Sequence, residues 1–280
     1  MERAISQDGT PIAFDRLGDG PAVIIVVGAL ADRSAGAPLA ALLAPHFTVF
    51  TYDRRGRGDS GDTAPYAVKC EVEDLEALIR EAGGSACVFG GSSGAALALD
   101  AANRGRAITK LALYEPPFIV DESSPPLPKN YATQLAELIA AGRRSDALER
   151  YMNEALGVPA ERLTQMRTAP FWPAMEAVAH TLVYDFTILG DTMTGTRLPI
   201  QKWASVTVPT LVMDGGASAA VFHSAAQALT DILPNAQRRT LTGQDHAVDP
   251  QILAPLLEEF FGQSNERYAR THWGEIYCGR

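Results

Sequence analysis

Cysteine is scarce in this chain of 280 residues: there are three, Cys70, Cys87 and Cys278, too scattered for metal-ligand spacing. That excludes a disulfide framework and a thiolate metal cluster, and isolated thiols suit a reducing compartment. Positive charge is also in deficit, with 24 Lys and Arg against 33 Asp and Glu and a net charge of −9. An acidic balance disfavours nucleic acid and anionic membranes as partners. Long apolar runs are absent; the stretch 22–30 is far too short to span a bilayer. The N-terminus lacks the basic-then-apolar layout of a signal peptide, so the expected location is the cytoplasm. No internal repeat or low-complexity tract is present. What is there is ordinary: 46% hydrophobic and 20% charged residues, enough for one large domain or one domain with an insertion.

The hydrophobic pattern alternates between two periods. Asp8-Gly9-Thr10 separates two short runs and predicts a hairpin. Residues 22–27 are wholly apolar and mostly β-branched, as in a strand buried on both faces of a parallel sheet. Strands are also expected at 47–52, 86–89, 108–114, 210–213 and 238–241, with helices at 37–43, 72–82 and 251–261 between and after them. In the helix 72–82, Leu75, Leu78 and Ile79 share one face. Such alternation predicts a doubly wound, mostly parallel α/β sheet. From 118 to 203 strand character lapses, and a mostly helical stretch follows the Pro-rich segment 123–128. The expected organisation is a core of 1–117 and 204–262, a helical cap at 118–203, and a tail at 263–280 outside the core pattern.

Within that frame one motif carries chemistry. The strand ending Val88-Phe89 runs into Gly90-Gly91-Ser92-Ser93-Gly94, followed by Ala- and Leu-rich helix formers. A strand turning sharply into a helix exposes the serine hydroxyl above the sheet, close to the helix N-terminus, whose free N–H groups favour a developing oxyanion. Gly90 and Gly94 let strand and helix approach around it. Ser92 fits the Gly-x-Ser-x-Gly register; Ser93, flanked two positions away by Gly91 and Ala95, is the alternative.

With the turn and the strand–helix order together, the chain resembles the capped α/β-hydrolase superfamily over roughly residues 4–262. Tyr52-Asp53-Arg54-Arg55-Gly56-Arg57-Gly58-Asp59-Ser60 is similar to that superfamily's Asp-x-Arg-Gly-x-Gly-x-Ser loop. Val27-Gly28-Ala29 stands where a His-Gly-x element often follows the third strand, and Gly243-Gln244-Asp245-His246 where the histidine is placed. The resemblance implies Ser92 as nucleophile, His246 as the base that activates it, and the backbone N–H groups of Ala29 and Ser93 as the oxyanion hole. Gly91 departs from the bulky or polar residue often found there. The arginines 54, 55 and 57 are expected to bond loop carbonyls.

The acid is open between two positions. The usual place after the strand 210–213 reads Asp214-Gly215-Gly216-Ala217-Ser218, with Ser218 where an Asp is expected. Some members carry the acid one strand earlier, which here is Glu115, ahead of Pro116 and Pro117. Glu115 is the leading candidate and Asp214 the alternative. The aromatic and Met residues of the cap favour an apolar or aromatic acyl group. The resulting expectation is a serine hydrolase acting on a small-molecule carboxylic ester, thioester or lactone, with no metal or organic cofactor. A lyase, cyclase or cofactor-free oxygenase on the same scaffold, or a ligand-binding protein with a degenerate triad, are the rival readings. Oligomeric state is not legible in the chain.

Overall fold

The eight strands of the sheet owe their length to short β-branched and apolar runs bounded by glycine and proline turns. The structure, a computed structural model, describes residues 1–105, 107–194 and 200–263. The sequence reading of the tail falls, from residue 264 onward, outside the described residues.

β1 (Glu2–Ile5) and β2 (Pro11–Leu17) form the expected hairpin. They are followed by β3 (Ala22–Val26), α1 (Ala37–Leu43), β4 (Thr48–Tyr52), α2 (Val68–Glu81), β5 (Ala86–Gly91), α3 (Ser93–Asn103) and β6 (Ile108–Tyr114). A helical insert comes next: α4 (Tyr131–Ala140), α5 (Arg144–Arg150), a π-helical turn (Tyr151–Ala155), α6 (Ala160–Met166), α7 (Trp172–Val178), α8 (Leu182–Leu189) and α9 (Ile200–Trp203). The chain closes with β7 (Thr210–Gly215), α10 (Ala220–Ile232), β8 (Ala236–Leu241) and α11 (Pro250–Gly262).

The strand order is β1-β2-β4-β3-β5-β6-β7-β8, with β2 antiparallel to β1 and β4 and all other pairs parallel. Both faces are covered, which is why β3 has no polar residue. On one side Val23, Ile25 and Phe89 pack with Leu39, Leu43 and Leu257 of α1 and α11. On the other, Ile24, Val26 and Val88 belong to the same core as Leu75, Leu97 and Leu229 of α2, α3 and α10. β6 and β7 are parallel sheet neighbours, so the chain leaves the sheet at the C-terminal end of β6, forms the insert and returns to the N-terminal end of the adjacent strand.

Two helical stretches of the insert are broken. The stretch 145–156 is α5 plus the π turn, where Tyr131 Oη donates to the carbonyl of Arg150 (3.2 Å). The stretch 172–189 divides at a 3-10 turn, Ala179–Thr181, in which the Thr181 hydroxyl bonds the Val178 carbonyl (2.8 Å). Side-chain bonds to the backbone compete locally with the regular helical ladder, and apolar periodicity does not register them. Contacts that hold the insert to the sheet domain include Tyr66 stacked on Tyr184 at 3.9 Å and Trp203 Nε1 donating to Asp100 Oδ1 of α3 at 3.3 Å.

Candidate active site

The turn between β5 and α3 is built by close approach. A Cβ on Gly94 would sit 2.3 Å from the Val26 carbonyl, and one on Gly90 would sit 2.6 Å from the Gly94 carbonyl, so neither position tolerates a side chain. Squeezed between them, Ser92 takes φ 54°, ψ −127°. Among the described residues three non-glycine positions have positive φ: Ser92, Glu115 and Leu30. Each such residue costs about 1–3 kcal/mol, and such strain clusters at functional sites. Here the three are the candidate nucleophile, the candidate acid, and the residue after Ala29.

Ser92 Oγ lies 3.2 Å from His246 Nε2, and His246 Nδ1 lies 2.7 Å from Glu115 Oε2. With Nδ1–H donated to the carboxylate, the Nε2 lone pair faces the serine hydroxyl. Glu115, fully buried, takes a second bond at Oε1 from the Gly215 N–H (2.7 Å), while its own N–H donates to the Met213 carbonyl (3.0 Å). The histidine loop is fixed from the same strand end: Tyr114 Oη donates to the carbonyl of Asp245 at 2.5 Å. Phe222, at the start of α10, stacks on the imidazole with ring centroids 4.7 Å apart.

Asp214 is engaged elsewhere. Its buried carboxylate accepts from Arg238 Nε (2.8 Å) and Thr240 Oγ1 (3.2 Å) and meets His223 Nδ1 at 2.5 Å. Burial pushes its carboxyl up, but Arg238 and His223 outweigh that and hold it below the usual range. Of the two carboxylates weighed in the sequence, Glu115 is the one brought to His246. His180 lies in the insert beside Asp62, and His46 precedes β4; His272 lies outside the described residues.

Ser93 opens α3, so its N–H has no acceptor within the helix. Among the described residues no main-chain acceptor takes the N–H of Ala29. Both residues line a narrow cavity of about 50 Å³ with Ser92 and His246, walled by Pro117, Leu156, Phe186 and Met193. A larger surface cleft of about 650 Å³, around Asp15, Asp32 and Arg33, shares none of these residues.

The arginines do bond loop carbonyls, as expected: Arg57 Nη1 reaches Gly28 O (2.6 Å) and Ala31 O (3.1 Å). They do more than that. Arg54 and Arg57 also meet Asp185, a carboxylate of α8 that the sequence reading passed over. The available signal was a lone acid inside the apolar stretch Leu182-Val183-Tyr184-Asp185-Phe186. Nothing in the sequence marked Tyr114 or Phe222 as neighbours of the histidine.

Comparison with known proteins agrees with the architecture. In sequence, 96 residues are 35% identical to the uncharacterized hydrolase YraK of Bacillus subtilis (strain 168), a match over 33% of this chain and 35% of that protein. The chain thus aligns with about a third of the length of that curated relative. In structure, an alpha/beta hydrolase from Sphaerobacter thermophilus DSM 20745 is 56% identical, with a TM-score of 0.86 over 93% of this chain and 100% of the other. A thermophilic esterase from Thermogutta terrifontis superposes with a TM-score of 0.69 over 93% and 97% of the two chains. At 20% identity that likeness speaks for the fold alone. The model of the alpha/beta hydrolase family matches residues 23–256, and with the sheet order and the β5–α3 turn this makes the chain a member of that family.

Proposed function

We propose that the protein is a serine hydrolase that cleaves a carboxylic ester carrying a short apolar acyl group, through an acyl-enzyme. The observation that carries this reading is the continuous hydrogen-bonded path Ser92–His246–Glu115. Ser92 Oγ attacks the carbonyl carbon as His246 Nε2 takes its proton; Glu115 keeps the tautomer and steadies the imidazolium. The N–H groups of Ala29 and Ser93 receive the oxyanion. His246 then returns the proton to the leaving oxygen, and a water activated in the same way releases the acid.

The cavity bounds the acyl group. The roughly 50 Å³ beside Ser92 suits a group of a few heavy atoms rather than a long chain. Its walls, including Phe186 and Met193 of the insert acting as a cap, favour apolar groups over charged ones.

The test is labelling with a fluorophosphonate probe, read by intact mass and peptide mapping, beside turnover of p-nitrophenyl esters from acetate to octanoate. The expected result is one adduct on Ser92, lost in Ser92→Ala, with turnover falling as the acyl chain lengthens. A folded wild-type protein that neither labels nor hydrolyses any ester of the series would sink the reading.

A further inference from the structure

One carboxylate from the insert reaches both halves of the candidate oxyanion hole. Asp185 is 1% exposed. Its Oδ1 accepts from Ser93 Oγ (2.7 Å) and Arg54 Nη1 (2.7 Å), and its Oδ2 accepts from Arg57 Nη2 (2.7 Å). Ser93 supplies one of the two N–H donors. Arg57, through Nη1, bonds the Gly28 carbonyl at 2.6 Å. That carbonyl belongs to the same planar peptide unit as the Ala29 N–H, the other donor. A cation at the oxygen end of a peptide fixes its plane and strengthens its N–H as a donor. Arg54 Nη1 adds a longer contact to the Val27 carbonyl at 3.4 Å, and its other edge is held bidentately by Glu71 at 2.7 and 3.0 Å.

We propose that Asp185 is a positioning residue that couples the seating of the helical insert to the oxyanion hole, setting the Ser93 and Gly28–Ala29 donors through Ser93 Oγ and Arg57. The inference rests on the serine-hydrolase reading, because it assigns those two N–H groups to the oxyanion. Four charges in this cluster, Arg54, Arg57, Glu71 and Asp185, balance, so it carries no net attraction for a charged substrate. Burial alone would raise the Asp185 carboxyl; Arg57 and Arg54 hold it below the ordinary range, so it is anionic wherever the enzyme is folded near neutrality. A buried ion cluster is weak evidence for stability; what this one holds in place is Ser93 Oγ and the Gly28 carbonyl. The geometry imposed here is that of the donors.

The experiment compares wild type with Asp185→Asn, Ser93→Ala and Ser93→Thr. Asp74→Asn, which removes the partner of Arg55 in a neighbouring buried pair, controls for a purely structural change. Three quantities are read: kcat and KM for p-nitrophenyl acetate, Ki for a trifluoromethyl ketone that forms the tetrahedral adduct, and Tm. Losing one oxyanion donor outright costs about 10²–10³-fold in kcat, so displacing one should cost about 10–100-fold. Asp185→Asn is expected to lower kcat by that factor and raise Ki in parallel, with KM within about twofold. Ser93→Ala should move the same way, Ser93→Thr should recover most of the loss, and Asp74→Asn should shift Tm alone. An Asp185→Asn protein that loses stability with kcat and Ki unchanged, or that changes only KM, overturns the proposal. If Asp185→Asn does not fold, the Ser93 pair decides: equal kcat and Ki in Ser93→Ala and wild type overturn it. Wild type that neither labels nor turns over ester overturns the hydrolase reading itself, and this inference with it.

Discussion

Glu115 and Asp214 stand at neighbouring strand ends and are both fully buried, yet their surroundings assign them different work. Glu115 bonds His246 and one backbone N–H; Asp214 bonds Arg238, Thr240 and His223. Glu115→Gln keeps the shape but reverses the hydrogen-bond sense at Nδ1, so kcat for p-nitrophenyl acetate should fall by about 10³–10⁴-fold, the scale of losing a triad acid. Asp214→Asn should stay within about tenfold of wild type and show its effect in urea unfolding, since it leaves Arg238 without its counter-charge. If the two variants exchange those outcomes, the triad is misassigned. Gly91 offers a second residue-scale test. A Cβ there would meet nothing within 4 Å, and its φ is not positive. Gly91→Ala should therefore stabilise the fold by about 0.4–1 kcal/mol through the unfolded chain, with kcat unchanged; a loss of stability in urea titration would show that the glycine is needed. The serine, the histidine and the leading acid were legible because each sits at a strand end marked by glycine or proline. Asp185 was not, because its partners lie 92 and 128 residues away in the chain, and the pairing exists only once α8 packs on α3.

Among the elements, the sheet was easier to read than the insert. Strands buried on both faces leave unbroken apolar runs, as in 22–27, and parallel order follows from the helices between them. In the insert the same apolar faces are shared among short helices, and breaks at Tyr151 and Ala179 depend on side-chain bonds that no periodicity encodes. The end of α11 shows a similar dependence. Lys110 in β6 is 4% exposed and donates to the carbonyls of Phe260 (2.8 Å), Phe261 (3.0 Å) and Gln263. A strand lysine thus caps the C-terminus of a helix 150 residues on, where cations are favoured by the dipole. Lys110→Met leaves those carbonyls without a donor and should cost about 1–3 kcal/mol in urea unfolding. Ester turnover should be preserved, since α11 packs on the far side of the sheet from the insert; unchanged stability would mean that water replaces the lysine without loss.

At the scale of the whole molecule, the net charge of −9 hides a set of carboxylates whose ionisation is tied to folding. Asp185 and Asp214 are both held below their ordinary range, against the effect of burial, by the arginines beside them. Asp8 is treated likewise: burial would raise it, but bonds from Thr10 and Arg55 bring it to about 2. For each of these the unfolded chain binds a proton more readily than the folded one. Their stabilisation is thus complete above the unfolded value near 4 and is lost as pH falls through the folded value. Asp74 runs the other way. Burial lifts it to about 6 despite its bonds to Arg55, so its contribution is fullest below about pH 4 and declines as pH rises through 6. The two windows adjoin at about pH 4: between pH 4 and 6 Asp74 alone of this set titrates, which predicts a small loss of stability as pH rises there, while below pH 4 the other three bring a steep fall. Urea unfolding of wild type and Asp8→Asn at pH 7, 5, 3 and 2 isolates one contributor. The gap between them should be about 1–2 kcal/mol at neutral pH, allowing for the partial exposure of Asp8, and should close between pH 4 and 2. A gap that persists at pH 2 would mean that Asp8 stabilises through hydrogen bonds indifferent to its charge, and the acid limit of this fold would then rest with the buried pairs at Asp185 and Asp214.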